Sequence, residues 1–229
     1  MIKENLLALR QKINETARRA GRQPEEIELV LVTKNVGLDQ IMEAYEAGER
    51  KFGENRVQEF LEKCGKLPQD IEWHLIGHLQ TNKVKSVIDH ICLIHSLDSL
   101  RLAQEMERRA KDLRRTVQVL IQVNISGEAT KFGVTPEDFS ELLEGVLSLS
   151  HVKVLGLMGI GPVASEEKVR SCFRSLASLR DEWVRRKSLD LKYLSMGMTS
   201  DFEIAIEEGA NLLRIGTAIF GERKEIDAR

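Results

Sequence analysis

The hydrophobic positions of this chain follow two periods. Leu6, Leu9, Ile13, Ala17 and Ala20 recur at the spacing of one helical face, and Gly21 follows as a stop. From Glu28 onward short aliphatic runs take over: ELVLVTK (28–34), RKFGE (50–54), EWHLIG (72–77), ICLIHSL (91–97), VQVLIQVN (117–124), VKVLGLMGI (152–160), YLSMGM (193–198) and LLRIGTAI (212–219). Each run predicts a strand, and the segments between them carry helical periodicity. In 99–115, Ala103, Met106, Ala110 and Leu113 share a face behind Asp98 as a candidate N-cap. In 167–186 the inner stripe is Val169, Phe173, Leu176 and Trp183.

Near-continuous apolar strands alternating with helices predict a parallel sheet covered on its outside, and eight such units are the number that closes a barrel. The expected fold is therefore α/β, a (β/α)8 TIM-like barrel with an extra N-terminal helix. A doubly wound open sheet is the competing topology. No Pro/Gly/Ser-rich linker or repeat divides residues 1–229, and only four prolines occur, so one domain is expected.

Composition narrows the function classes. With 42% hydrophobic and 31% charged residues the chain reads as an ordinary globular protein. Its 34 basic and 36 acidic residues are interspersed, which gives no electrostatic footprint for nucleic acid. No apolar run approaches a signal peptide or a membrane span. Cys64, Cys92 and Cys172 are odd in number and far apart, as expected of reduced thiols in a cytoplasmic protein.

In a parallel barrel the strand C-termini gather at one face, which is where polar strand ends become candidate site residues. Lys34 ends the run Leu29–Val32, Asn55 follows the second strand, Asn124 closes the fifth and Lys131 follows it. A lysine leaving a buried strand is partly desolvated, which favours the neutral amine and attack on an aldehyde; the competing reading is a lysine pointing to solvent. After Arg214, the backbone at Gly216 and Thr217 can approach an anion, and Ser195, Thr199 and Ser200 can add hydroxyl donors from the neighbouring strand. His74, His78 and His95 lack zinc-site spacing and read as hydrogen-bonded imidazoles. Glu54, Asp98 and Asp201 each stand where a helix can begin and read as caps or dipole partners. No Gly-x-Ser-x-Gly elbow supports a serine triad.

Taken together, VTK at Lys34, FGENRVQE (52–59), WHLIGHLQTNK (73–83), IHSLD (94–98), QVNISGEATKFG (122–133), GLMGI (156–160), LSMGMTSDFEIAI (194–206) and RIGTAIFGER (214–223) resemble the YggS/PROSC family of pyridoxal phosphate homeostasis proteins. The resemblance implies a barrel like the N-terminal domain of bacterial alanine racemase, with pyridoxal 5′-phosphate (PLP) held as an imine on Lys34. It further implies Arg214 against the pyridine nitrogen, and phosphate bound by Gly216 and Thr217 with Ser195 and either Thr199 or Ser200. Asn55 and Met158 line the pocket by the same matching, and Lys131 matches a family lysine that helps move the cofactor.

The sequence departs from the family pattern at Gly37, where proline is common, and at the Thr199–Ser200 pair. An arginine near the pyridine nitrogen makes the ring a poor electron sink. Racemisation also requires a second acid/base group, and Tyr45 and Tyr193 are the only tyrosines. The expected function is PLP buffering and delivery to apo PLP-dependent enzymes without turnover, by a monomer or weak dimer. A weak amino-acid racemase and a lysine-based aldolase are the competing enzymes.

Overall fold

A computed structural model describes residues 1–128 and 131–222; residues 129–130 and 223–229, with the motif positions that fall on them, lie outside the described residues. Eight strands, β1 (Glu28–Val32), β2 (Lys51–Glu54), β3 (Glu72–Leu75), β4 (Leu93–Leu97), β5 (Val117–Gln122), β6 (Val152–Met158), β7 (Tyr193–Ser195) and β8 (Leu212–Ile215), close into a barrel in chain order. Every neighbouring pair is parallel, and β8 returns to β1 in the register Glu28↔Leu212 to Leu31↔Ile215. Closure removes the open sheet, the competing topology.

Helices cover the outside: α1 (Ile2–Arg19), α2 (Leu38–Glu46), α3 (Val57–Cys64), α4 (Leu100–Asp112), α5 (Phe139–Leu147), α6 (Glu166–Lys187), α7 (Phe202–Glu207) and α8 (Thr217–Phe220). Between β3 and β4 a 3-10 helix, Thr81–Ser86, stands in for an α-helix. Strand side chains alternate between faces, so the core divides in two. Val30, Leu93, Leu120, Met158 and Leu212 form a small cluster inside the barrel. Leu31, Phe52, Trp73, Ile94 and Leu157 join the larger layer between sheet and helices.

Three local expectations change. Ser99, not Asp98, caps α4, its hydroxyl accepting from Leu102 N at 3.4 Å, while Asp98 bonds His78. Leu113 is 47% exposed because the helix ends at Asp112 and its inner stripe stops at Ala110. The eighth run ends as a strand at Ile215, since α8 starts at Thr217 and turns the apolar Ala218–Ile219 into a helix. At β6 the pairing shifts from Val119↔Val154 to Leu120↔Gly156, which leaves Leu155 as an extra residue in a bulge. No described helix is long and apolar enough to cross a membrane.

Candidate functional site

Lys34 emerges half-buried from β1 in a tight turn whose next residue, Asn35, has φ of 56°. That turn is pinned from behind the barrel wall. Lys63, on α3, donates to the Thr33 carbonyl at 2.7 Å, and Glu59 accepts from Asn35 N at 2.5 Å. Glu54 completes the clamp: its Oε1 accepts from Thr33 Oγ1 at 2.5 Å and from Lys63 Nζ at 2.7 Å. Burial pushes the Glu54 carboxyl up from its ordinary range, and the Lys63 ammonium opposes that rise. Glu54 is thus no helix cap. It faces outward with Thr33, and α3 begins three residues later.

A second polar group runs inside the barrel. Arg214 is 4% exposed and donates from Nη1 to Ser195 Oγ at 2.7 Å and from Nη2 to the Gly159 carbonyl at 2.9 Å. Ser195 Oγ also lies 3.1 Å from His95 Nδ1, and His95 Nε2 lies 2.9 Å from His74 Nδ1. Burial lowers Arg214 to about 10, with Asp201 the carboxylate whose charge opposes that fall. Burial likewise pushes His74 down to about 3 and His95 well below the ordinary imidazole range, so both rings are neutral. Among the described residues no three His, Cys, Asp or Glu side chains form a metal-ligating group. Ser195, expected beside the phosphate with Thr199, is fully buried and committed to Arg214 and His95. Strand parity turns it into the barrel.

The anion-side residues do come together. Arg214 N donates to the Gly197 carbonyl at 3.0 Å, which ties the β7 loop to β8. Thr199 Oγ1 accepts from Ala218 N at 3.4 Å, in the first turn of α8 behind Gly216. Thr199 and Thr217 are exposed at this turn, and Ser200, next to Thr199 in the chain, is exposed as well. Asp201 Oδ1 accepts from Met198 N at 2.6 Å and closes the loop that carries them.

Around the rest of the mouth, Asn55 Oδ1 is buried without a hydrogen-bond partner, and Met158 lies fully buried in the interior cluster. Asn124 organises the β5 loop, donating from Nδ2 to the carbonyls of Glu128 at 2.9 Å and Lys131 at 3.3 Å. Lys131 reaches across to the Gly161 carbonyl at 3.3 Å and pairs with Glu128 at 2.8 Å. Phe132 stacks on His78 with centroids 4.1 Å apart. Both tyrosines are occupied away from this rim, Tyr45 with Asp70 and Tyr193 with Glu28 and Lys192 at the barrel's opposite end.

Lys63, Glu59, Phe132 and the joined path from His74 to Arg214 are parts of the site that no polar strand end in the sequence points to. A signal for the histidines was present. His74 interrupts Trp73 and Leu75, so a strand with those two facing the helices must turn the imidazole inward.

This barrel matches the family described as alanine racemase, N-terminal domain, over residues 5–224. Corynebacterium glutamicum alanine racemase shares the architecture at a TM-score of 0.71 with 15% identity, covering 100% of this chain and 62% of that one, a likeness of fold alone. Much nearer is the pyridoxal phosphate homeostasis protein of Aquifex aeolicus, 50% identical over 223 residues that cover 96% of this chain and 98% of the relative. PipY of Synechococcus elongatus, solved with PLP bound, superposes at a TM-score of 0.85 with 36% identity, covering 96% of this chain and 100% of that one. The chain belongs to the family of pyridoxal phosphate homeostasis proteins.

Proposed function

We propose that this chain binds PLP at the barrel mouth and works in intracellular PLP homeostasis, holding the cofactor and handing it to apo PLP-dependent enzymes. The observation that carries the reading is the convergence at one mouth of a half-buried amine, Lys34, an unpartnered buried oxygen, Asn55 Oδ1, and a buried cation, Arg214. These groups fit an anionic aromatic aldehyde. Lys34 supplies the amine for an imine with the aldehyde. Arg214 faces the ring nitrogen, Met158 forms the floor beneath the ring, and Asn55 offers a polar contact at its edge. The first turn of α8 at Gly216 and Thr217, with Thr199 and Ser200, receives the phosphate. Lys131 sits on the rim loop, placed to exchange hydrogen bonds with an incoming or leaving cofactor.

Bound PLP supplies an electrophilic aldehyde and a conjugated ring. Arg214 limits its use as an electron sink, because a fixed cation beside the ring nitrogen disfavours that nitrogen's protonation. Both tyrosines are engaged elsewhere, which supports carriage of the cofactor over racemisation. The thiols of Cys64, Cys92 and Cys172 are free, as suits a reducing cytoplasm.

The test is direct. Protein incubated with PLP turns yellow, and borohydride reduction followed by mass spectrometry places the adduct on the Lys34 peptide. Lys34→Ala loses both signals. A colourless wild type, or an adduct on a different lysine, overturns the reading.

A further inference from the structure

The barrel interior would ordinarily be filled by layers of aliphatic side chains. Here His74, His95, Ser195 and Arg214 replace part of those layers with one connected polar path. His74 pairs at the level of Leu93, one inward position below His95, so the path descends from the mouth into the barrel. Burying four polar groups costs free energy that an apolar filling would not. The path ends on Arg214, the cation that the PLP reading sets against the ring nitrogen.

Its direction follows from counting protons. The guanidinium only donates, so Ser195 Oγ accepts from Arg214 Nη1. The fully buried Ser195 hydroxyl then has one acceptor for its own proton, His95 Nδ1 at 3.1 Å. A proton on that nitrogen would leave the oxygen accepting from two donors, Arg214 and His95, and would strand the hydroxyl hydrogen without an acceptor in the interior. His95 therefore carries its proton on Nε2 and donates across 2.9 Å to His74 Nδ1, which leaves His74 protonated on its own Nε2. Each bond points away from the arginine.

We infer that Ser195, His95 and His74 form a one-way relay of neutral groups that orients the Arg214 guanidinium toward the barrel mouth, making His95 and His74 positioning residues for the cofactor. Neutrality is essential to the arrangement. A hydrogen-bonded carboxylate anchor would offset the charge of Arg214, on which Asp201 acts only without a direct hydrogen bond, whereas the hydroxyl and the Gly159 carbonyl hold the group in place and add no countercharge. The inference rests on the PLP reading above.

Titration of wild type, His95→Leu, His95→Asn and Ser195→Ala with PLP, followed by visible absorbance, tests it. His95→Leu and Ser195→Ala shift the visible band and weaken PLP binding about tenfold, the loss of one buried hydrogen bond to a charged group. The double variant is no weaker than either single one, because both cut the same relay. His95→Asn, whose Oδ1 can replace the Nδ1 acceptor, keeps the wild-type band and stays within about threefold in affinity. In the ligand-free wild type, imidazole 15N shifts show Nδ1 unprotonated on both histidines. A band and affinity unchanged in Ser195→Ala, or a proton on His95 Nδ1, overturns the relay even if His95→Leu fails to fold. A wild type that takes up no PLP overturns the PLP reading and the relay with it.

Discussion

At the scale of single residues, the position of Lys34 depends on side chains that never enter the mouth. Lys63 is the hub: its ammonium meets the Thr33 carbonyl, Glu54 and Glu59, each at 2.7 Å. Two carboxylates share one cation there, and Glu54 Oε2 has no partner, which leaves the group short of positive charge. Removing one member of a buried pair strands the other's charge and costs about 3–5 kcal/mol. Lys63→Met is expected to destabilise the protein by that amount in urea unfolding. The loss is smaller at pH 5 than at pH 8, because burial already raises the Glu54 carboxyl and protonation removes the stranded charge. Adding Glu54→Gln to Lys63→Met recovers stability at pH 8, and equal loss at both pH values would contradict this account.

At the scale of elements, glycines separate positions that a side chain can occupy from those it cannot. Gly37, ahead of α2, has φ of −72°, and a Cβ there meets nothing within 4 Å. That angle is already proline's. Gly37→Pro is expected to stabilise by about 0.4–1 kcal/mol through the unfolded chain and to raise the thermal midpoint. Gly156 is the opposite case. It sits at the β6 bulge with φ of 156°, and a Cβ would collide with the Tyr193 carbonyl oxygen. Gly156→Ala is therefore expected to cost about 3 kcal/mol in the same melts by forcing β6 and β7 apart. The strands themselves were legible because each aliphatic run is flanked by turn or helix residues, and even the weak run at 50–54 forms β2. Asp98 misled because two capping residues stand side by side, and a contact from His78, distant in sequence, decided between them. Lys34, Arg214 and the Gly216–Thr217 turn were legible as polar strand ends. Lys63 was not, because an i,i+4 lysine on a helix reads as solvated until Glu54 on a different element is known to face it.

For the molecule as a whole, the polar path through the barrel makes stability depend on pH in a way an aliphatic interior would not. His74 and His95 remain neutral in the native state, with His74 held down to about 3 by burial and His95 well below its ordinary range for the same reason. In the unfolded chain each titrates near 6.5, so as pH falls below that value the unfolded state takes up protons that the native state refuses. Stability then falls by up to about 1.4 kcal/mol per pH unit for each ring. Carboxylates held low by ion pairs, such as Glu105 at about 2 beside Arg108 and Arg109, begin to contribute only as pH falls into the ordinary carboxylate range. Glu54 and Asp201, raised by burial, pull the other way, since the native state protonates them first. A difference measurement separates these contributions. His74→Leu removes one buried imidazole and is expected to flatten the fall in unfolding free energy between pH 6.5 and pH 4.5 relative to wild type, by a difference in slope that approaches about 1.4 kcal/mol per pH unit at the acid end. Parallel stability profiles for the two proteins across that range would mean that His74 takes up its proton in the native barrel as readily as in the unfolded chain, and the neutral relay beneath Arg214 would fail with it.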